Sequence, residues 1–537
     1  MRCAGISAGA QTGRYRSLIS RKRHTMRKSF YTAFLASVLV LAMTFTSLAF
    51  PAVGEENDRS PKNYTGTTAT KDGDGTVAAD PVLGLVPDLH MQYKTGDGNL
   101  TDGFITGQNW FDSPMDGFCG LKARLEYSIG DVSYRAYTTE HGWTRWAMNS
   151  MDTDWFNDAA KITAVQIRMK GHTANLYDIY YRMTLNDGTV TGWAKNGQSC
   201  GTIGTGKYIQ KMQMMFWKRG ITFPQSTDNH LIAAAYEGIV FNHNGSVTYS
   251  KADGSLYTGW AYDTGGDKYY FIDNKPVTGW QEIDGYRYYF DECCHVVTDL
   301  EPVLGDPGGY MAKVNKDMKT MTIYAKDDAG KYTIPYKVFL CTIGSATPIG
   351  EFKLFERYNW KFMHDDIYVQ YLQRYKNPGF CIHSIIYYPV SGSYMLRANS
   401  YNELGKNKSD GCIRLKSGDC AWFYDHLSTG SEVQIYSDEW STGPFDRPCI
   451  EQAIPLAQNW DPTDPVVIND LANHTGPFTE GEVTVAYPDT FVKTLLAHGD
   501  YDLALTAGRA SGMELPENIE ELAAQRAAER EEAEKKD

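Results

Sequence analysis

The run Ser409-Asp410-Gly411-Cys412-Ile413-Arg414-Leu415 brings a carboxylate, a thiol and a guanidinium close together in the chain. Gly411 lets the backbone approach a neighbour closely and leaves the sulfur of Cys412 open. In a strand, Cys412 and Arg414 share one face. A cation beside a thiol favours thiolate, and an arginine fork binds a substrate carboxylate in bidentate fashion. Upstream, Phe380-Cys381-Ile382-His383-Ser384-Ile385-Ile386-Tyr387 reads as a buried strand carrying a histidine. Set beside the first run, Cys412 and His383 make the minimum for an activated sulfur nucleophile. A free thiol has a pKa of about 8.5, so a neighbouring imidazolium raises the thiolate fraction at neutral pH. Residue types alone leave a second reading open, an inert buried cysteine and a structural histidine.

These residues need a scaffold. From about Gly308 to Tyr436 the chain reads as one α/β or mostly-β domain, assigned residues 308–437. Met321-Thr322-Ile323-Tyr324 and Tyr336-Lys337-Val338-Phe339 have strand character. Ser417 to Leu427 reads as a short helix, with Ser417 or Asp419 as its cap and its end before Gly430. Ser431 to Tyr436 reads as a closing strand. Beyond Ser437 the chain is expected to loosen. Residues 438–537 are assigned as an irregular and helical tail, with short helices around Asp489–Leu503 and a solvated helix or disordered end from Glu514 to Asp537.

The rest of the 537 residues must be several further domains. Asp+Glu (65) exceed Lys+Arg (52), a net charge of −13, and a polyphosphate partner needs a basic face, so nucleic acid is not expected. Residues 1–49 place eight basic and no acidic residues before and within an apolar run from Phe30 to Ala49. The pattern, ending in Ser47-Leu48-Ala49, predicts a secretory signal peptide; the run is also long enough for an uncleaved anchor. Residues 50–88 are polar and read as a flexible linker. Nine cysteines follow the signal, an odd number with no CxxC pair. With no P-loop and no HExxH segment either, neither metal nor nucleotide cofactor is expected.

Between linker and scaffold lie two kinds of repeat. Residues 89–222 hold three alternating, glycine-rich units, marked by Asn109-Trp110-Phe111, by His141-Gly142-Trp143-Thr144-Arg145-Trp146 and by Thr191-Gly192-Trp193-Ala194. Residues 237–300 hold Gly259-Trp260 with Tyr269-Tyr270-Phe271, then Gly279-Trp280 with Tyr288-Tyr289-Phe290. Each of the latter reads as a small hairpin that must stack on a neighbour. The fold class expected is therefore mostly β and multidomain, with repeat-built β modules followed by a β-rich catalytic domain containing a short helix.

Three resemblances follow from these residues. The first set of units resembles the clostridial hydrophobic repeats with a characteristic Trp. The second resembles choline-binding or cell-wall-binding repeats. That likeness implies ligand contacts at Trp260, Tyr269, Tyr270, Trp280, Tyr288 and Tyr289, with a cell-wall polymer as partner; a spacer role is the alternative. Residues 308–437 resemble the L,D-transpeptidase catalytic domain of YkuD type. The matches are Thr347-Pro348-Ile349-Gly350-Glu351-Phe352, Ile382-His383-Ser384, Ser409-Asp410-Gly411-Cys412, Asp419 to Tyr424 and Gly430-Ser431-Glu432-Val433. The sequence departs from the family at Asp410, where a histidine is usual, and by an inserted hairpin loop at roughly Pro389 to Lys408.

The resemblance implies an exported enzyme acting on peptidoglycan stem peptides. Cys412 would be the nucleophile and His383 the general base and acid, its ring oriented by a backbone carbonyl near Ser384. Backbone N–H groups around Gly411 and Cys412 would hold the oxyanion, and Ser409, Asp410, Arg414 and Ser384 would complete the oxyanion and substrate contacts. Cys341, Cys381 and Cys420 are expected to be dispensable. Two alternatives stand: an L,D-carboxypeptidase, if water takes the acyl group, and a catalytically degenerate wall-binding protein, if Asp410 marks lost activity.

Overall fold

A computed structural model describes residues 87–473 except 106–109, 113–116, 154–156, 235, 244, 364–366, 389–394 and 456–457, together with 80, 82, 496, 501, 504, 505 and 515–534. The signal and nearly all of the linker lie outside these residues, as does most of the 489–503 stretch. Of the described residues, strands make up 42% and helices 11%, as the short alternating runs predict. Among the described residues no helix is long and apolar enough to cross a membrane.

The first module repeats itself in its hydrogen bonds. Tyr134 Oη donates to the Met151 carbonyl and Tyr181 Oη to that of Gln198. Asn149 Nδ2 donates to Asp131 Oδ1 at 2.6 Å and Asn196 Nδ2 to Asp178 Oδ1 at 2.7 Å. Arg135 Nε donates to Gln166 Oε1 at 2.6 Å and Arg182 Nε to Gln213 Oε1 at 2.7 Å. All these pairs share one sequence offset, and that offset matches Trp193 with Trp146 rather than with Trp143. The tryptophan of the second unit's Gly142-Trp143 is thus an addition to the repeat. Strands Asp131–Thr138 and Ile162–Lys170 pair antiparallel in one sheet, Tyr177–Leu185 and Ile209–Lys218 in another. Their alternate residues, among them Val132, Tyr134, Ile167, Tyr181 and Met212, fill one core between the sheets.

Three hairpins follow. They are Gly238–Phe241 with Val247–Ser250, Gly259–Tyr262 with Lys268–Ile272, and Gly279–Ile283 with Tyr286–Phe290. None has an interior of its own, so the buried rings come from neighbours. Tyr249 and Tyr257 stack at 3.8 Å between the first two hairpins, and Trp260 meets Tyr288 of the third at 5.1 Å. Trp280 and Tyr289 of the last hairpin pack on the core of the following domain.

That domain has two main sheets and a two-stranded parallel pair, Ile343–Gly344 with Asn407–Ser409. One runs Ile334–Leu340, Thr320–Ala325, Met311–Asn315, Glu432–Tyr436, Gly350–Lys353 in spatial order. The other runs Glu356–Phe362, Tyr368–Lys376, Phe380–Ser384, Ile413–Leu415. Val314, Ile323, Val433 and Ile435 of the first sheet meet Ile382, Ile413 and Leu415 of the second, with Cys420 and Phe423 from helix Ser417–His426. Period-2 alternation therefore turns Cys381, His383, Cys412 and Arg414 to the opposite face.

Two expectations for this region need correction. The helix is not capped by Ser417 or Asp419. Its N-cap residue, Lys416, makes no side-chain cap bond; instead the Ser417 N–H donates to Asp461 Oδ2 at 2.7 Å and the Gly418 N–H to Thr463 Oγ1 at 3.1 Å. A carboxylate there satisfies an orphan N–H and faces the positive helix end, worth about 1 kcal/mol. The inserted stretch is also not a bare hairpin loop: it contains helix Ala398–Asn402, and Ala398, Tyr401 and Leu404 pack with Trp360 and Tyr387.

The described residues of 438–464 form no helix or strand, as the irregular reading expected, but they are packed rather than loose. Arg447 is buried, donating to the Met318 carbonyl at 2.7 Å, to the Gly405 carbonyl at 2.8 Å, and to Asp131 of the first module. Asp446 accepts from Tyr262 Oη at 2.7 Å and pairs with Lys268 and Lys170 at 3.3 and 3.4 Å. Burial pushes the Asp446 carboxyl up, but Lys268, Lys170 and Arg168 outweigh it and hold the group well below the usual carboxylate range. This strap thus joins the first module, the hairpins and the two-sheet domain. Helix Ile519–Glu534 is not wholly solvated, since Ile519 and Ala523 are buried.

Candidate active site

Strands Phe380–Ser384 and Ile413–Leu415 lie side by side and parallel, with Ile382 opposite Ile413 and His383 opposite Arg414. The sequences Cys381-Ile382-His383 and Cys412-Ile413-Arg414 are thus laid in register. Each isoleucine points into the core; each flanking pair stands on the other face. The structure brings Cys412, His383 and Arg414 together as the strand reading required, and adds Cys381.

Gly411 is held by its surroundings. Its φ is +152°, and a Cβ there would lie 2.6 Å from Phe380 Cε1, so a side chain would displace that ring. The Gly411 carbonyl accepts from Thr347 Oγ1 at 2.9 Å, and Thr347 Oγ1 accepts from the Gly344 N–H at 2.9 Å. Ser409 Oγ donates to the Cys412 carbonyl at 2.6 Å and accepts from the Gly411 N–H at 3.2 Å. Ser409 is therefore a brace for the turn. The Gly411 amide, expected at the oxyanion, is engaged by that brace.

His383 is only 3% exposed. Its Nδ1 lies 2.6 Å from the Ser384 carbonyl, a partner that can only accept, so Nδ1 carries a proton and Nε2 is left for other work. The orienting carbonyl expected near Ser384 is this one. The Ser384 hydroxyl does not belong to the site: fully buried, it donates to the Ile385 carbonyl and accepts from the Gln370 N–H, both at 2.8 Å.

The Cys412 sulfur is partly exposed and lies 3.6 Å from the Gly379 carbonyl. A hydrogen bond from the Cys381 thiol and, after it, the hydrogen bond and charge of His383 draw the Cys412 thiol down to about 4, against the opposing effect of burial. Both partners favour the thiolate form of this sulfur. The Cys381 thiol moves the other way, raised by Cys412 and by burial. Burial also draws Arg414 down, while the charges of Cys412 and Asp410 pull it up. Arg414 Nη1 donates to the Lys408 carbonyl at 2.8 Å, and its buried Nε has no partner among the described residues. Asp410 is exposed, next to Arg414 in the field it exerts.

Cys381, expected to be dispensable, instead hydrogen-bonds the Cys412 sulfur, and sequence reasoning missed Thr347 as a turn anchor, Gly379 and Tyr375, whose buried hydroxyl reaches the Gly411 carbonyl at 3.5 Å. For Cys381 a signal existed: it stands two residues before His383, hence on its face.

The aromatic ligand positions expected in the hairpins are differently placed. Tyr269 and Tyr288 are buried core residues, so neither offers a face to a ligand. Lys268 Nζ lies 4.5 Å over the ring of Trp260, and the Arg287 guanidinium 5.0 Å over Trp280. Tyr270 lies at 5.1 Å from Trp260 and Tyr289 at 5.2 Å from Trp280. The chain's own cations thus stand over both tryptophans. Among the described residues no cluster of three or more His, Cys, Asp or Glu side chains could hold a metal ion.

Residues 309–435 match the family model of YkuD, the L,D-transpeptidase catalytic domain. No curated protein matches the chain. Among solved structures, an L,D-transpeptidase from Stackebrandtia nassauensis shares 20% identity over 24% of this chain and 56% of its own, with a TM-score of 0.18. A fused Zn-dependent amidase/peptidase/peptidoglycan-binding domain-containing protein from Clostridium acetobutylicum gives 20%, 24%, 54% and 0.18. An L,D-transpeptidase from Mycobacterium smegmatis gives 16%, 38%, 95% and 0.20. The chain spans about half the length of the first two.

Proposed function

We propose that this protein is an exported peptidoglycan L,D-transpeptidase that cross-links stem peptides through an acyl-enzyme on Cys412. The observation that carries the reading is a partly exposed thiolate beside a histidine whose Nδ1 is fixed by the Ser384 carbonyl, within the segment that matches the YkuD model. Cys412 sulfur attacks the carbonyl of the L,D peptide bond of a donor stem. His383 hands a proton from Nε2 to the departing D-amino acid and then takes one from the acceptor amine. Arg414, on the same face as Cys412, binds a stem carboxylate. The oxyanion is held by backbone amides at the turn, with the Cys412 N–H the principal donor since that of Gly411 is engaged. The repeat modules hold the enzyme at the cell wall, and residues 1–49 direct its export.

Incubation of the protein with purified muropeptides, with product masses read out, tests this. Cross-linked dimers with loss of the terminal residue are expected. Shortened monomers alone would make it an L,D-carboxypeptidase, and unchanged substrate a wall-binding protein without activity.

A further inference from the structure

We propose that Cys381 is a resolving thiol for Cys412, so that the two close into a reversible disulfide that switches the site off under oxidation. Loss of activity on closure rests on Cys412 being the nucleophile; formation of the bond does not. The strand register carries the proposal. Ile382 is opposite Ile413 in parallel strands, so the register carried one step past the strand's start sets Cys381 against Cys412, and Cys381 hydrogen-bonds its sulfur. Paired strands lie about 4.8 Å apart, inside the Cα separations that disulfides span. Both sulfurs also reach one atom, the Gly379 carbonyl oxygen, Cys381 at 3.4 Å and Cys412 at 3.6 Å. Both thiols are free in the structure.

The surroundings assign each thiol a part. Cys412 is partly exposed, so a solvent oxidant meets it first; Cys381 is 1% exposed and shielded from solvent. Arg374 stands directly opposite Cys381 on the next strand and Glu356 opposite Arg374 on the one beyond. Arg374 Nη1 pairs with Glu356 at 3.2 Å. The guanidinium stabilises Cys381 as it gives up its proton.

The oxidant is a hydroperoxide. Cys412 thiolate attacks the peroxide; an S–O bond forms, the O–O bond breaks, and hydroxide or alkoxide leaves, giving a sulfenic acid. Cys381, losing its proton, then attacks the Cys412 sulfur; the S–S bond forms, the S–O bond breaks, and the oxygen leaves as water. The two thiols supply the two electrons that the peroxide takes up. An external dithiol returns both sulfurs to thiols by exchange.

The test uses the full chain carrying Cys293→Ser and Cys294→Ser, which removes the surface thiol and its neighbour. It is treated with hydrogen peroxide, then read by intact mass, by peptide mapping, and by acylation with a carbapenem-type probe before and after dithiothreitol. The expected result is loss of two hydrogens, a cross-link joining the Cys381 and Cys412 peptides, and at least a tenfold fall in acylation that dithiothreitol restores. Adding Cys381→Ser should instead give a gain of two oxygens on Cys412 and acylation that dithiothreitol does not restore. A Cys412 sulfinate forming as fast with Cys381 present as without it, or a cross-link to another cysteine, would overturn the proposal. Should Cys381→Ser not fold, the peptide map of the chain retaining Cys381 decides alone. If the probe never acylates Cys412, the proposed function fails while the map still reads the disulfide.

Discussion

The face around Cys412 and the face around Trp260 are built from similar materials, and only one is left open. At Cys412 the braces come from beneath: Ser409, Thr347 and the Ser384 carbonyl satisfy the backbone and fix His383. The sulfur is left for something outside. At Trp260 the ring already has its cation, Lys268, and Lys268 has its carboxylate, Asp446. A Gly-Trp hairpin with a Tyr-Tyr-Phe strand therefore has two physical uses. It can hold a foreign cation between rings, or it can hold a lysine of its own and serve as a joint. A sequence repeat cannot distinguish them, because the lysine that decides is on the hairpin itself and the carboxylate that holds it comes from the strap.

The contrast can be broken most sharply at the open face. Cys412→Ala should abolish acyl-enzyme formation with the fold intact, read by intact-mass trapping; a covalent adduct on that variant would move the nucleophile elsewhere. His383→Ala should lower the acylation rate on the order of a hundredfold. The pH profile sharpens the same point. The thiolate is the reactive form and its pKa is depressed, so acylation should hold from neutral pH downward and fall only as the pH passes through about 4. In Cys381→Ala that acid limb should move upward, towards the range of an ordinary thiol, because the donor that favours the thiolate is gone.

At the closed face the effects are energetic. Arg447→Met leaves Asp131 buried without its cation, and breaking such a pair costs about 3–5 kcal/mol; thermal unfolding of the full chain would show it, and an unchanged midpoint would mean that the strap is not a tie. Lys268→Met should loosen the hairpins by less, since Asp446 retains Lys170, and should uncover the face of Trp260. Choline added to that variant should quench tryptophan fluorescence more than in the parent. Equal quenching would show that the ring was accessible from the outset. The smallest effect is expected at Asp410→Asn, a modest shift of the acylation profile, since this carboxylate is exposed and acts through Arg414.

The strand carrying His383, the strand after Cys412 and the helix that follows were all legible, because period-2 alternation and a short apolar helix are local signals. So were Cys412, His383 and Arg414. What could not be read was non-local. The cap of helix Ser417–His426 comes from Asp461, which no local capping pattern reveals. Ser384 appears next to His383 in the chain, yet alternation sends its hydroxyl to the far side of the sheet, where it bonds the Gln370 amide. Cys381 was expected to be dispensable, and only the register across two strands sets it near Cys412. The strap was read as loose because Asp-Pro-Thr-Asp-Pro breaks regular structure; here those same aspartates cap helices, with Asp464 Oδ1 accepting from the Val466 N–H.

The strap has a mechanical consequence. A pull applied to the first module does not reach the two-sheet domain through the covalent connection at 301–308 alone. It is shared with a second path, from Asp131 through Arg447 to the Met318 and Gly405 carbonyls, and from Lys170 and Lys268 through Asp446. Two load paths in parallel make a stiff arm, not a tether. The distance from the first module to Cys412 is then set by the fold, as the span of a bracket is set by its brace.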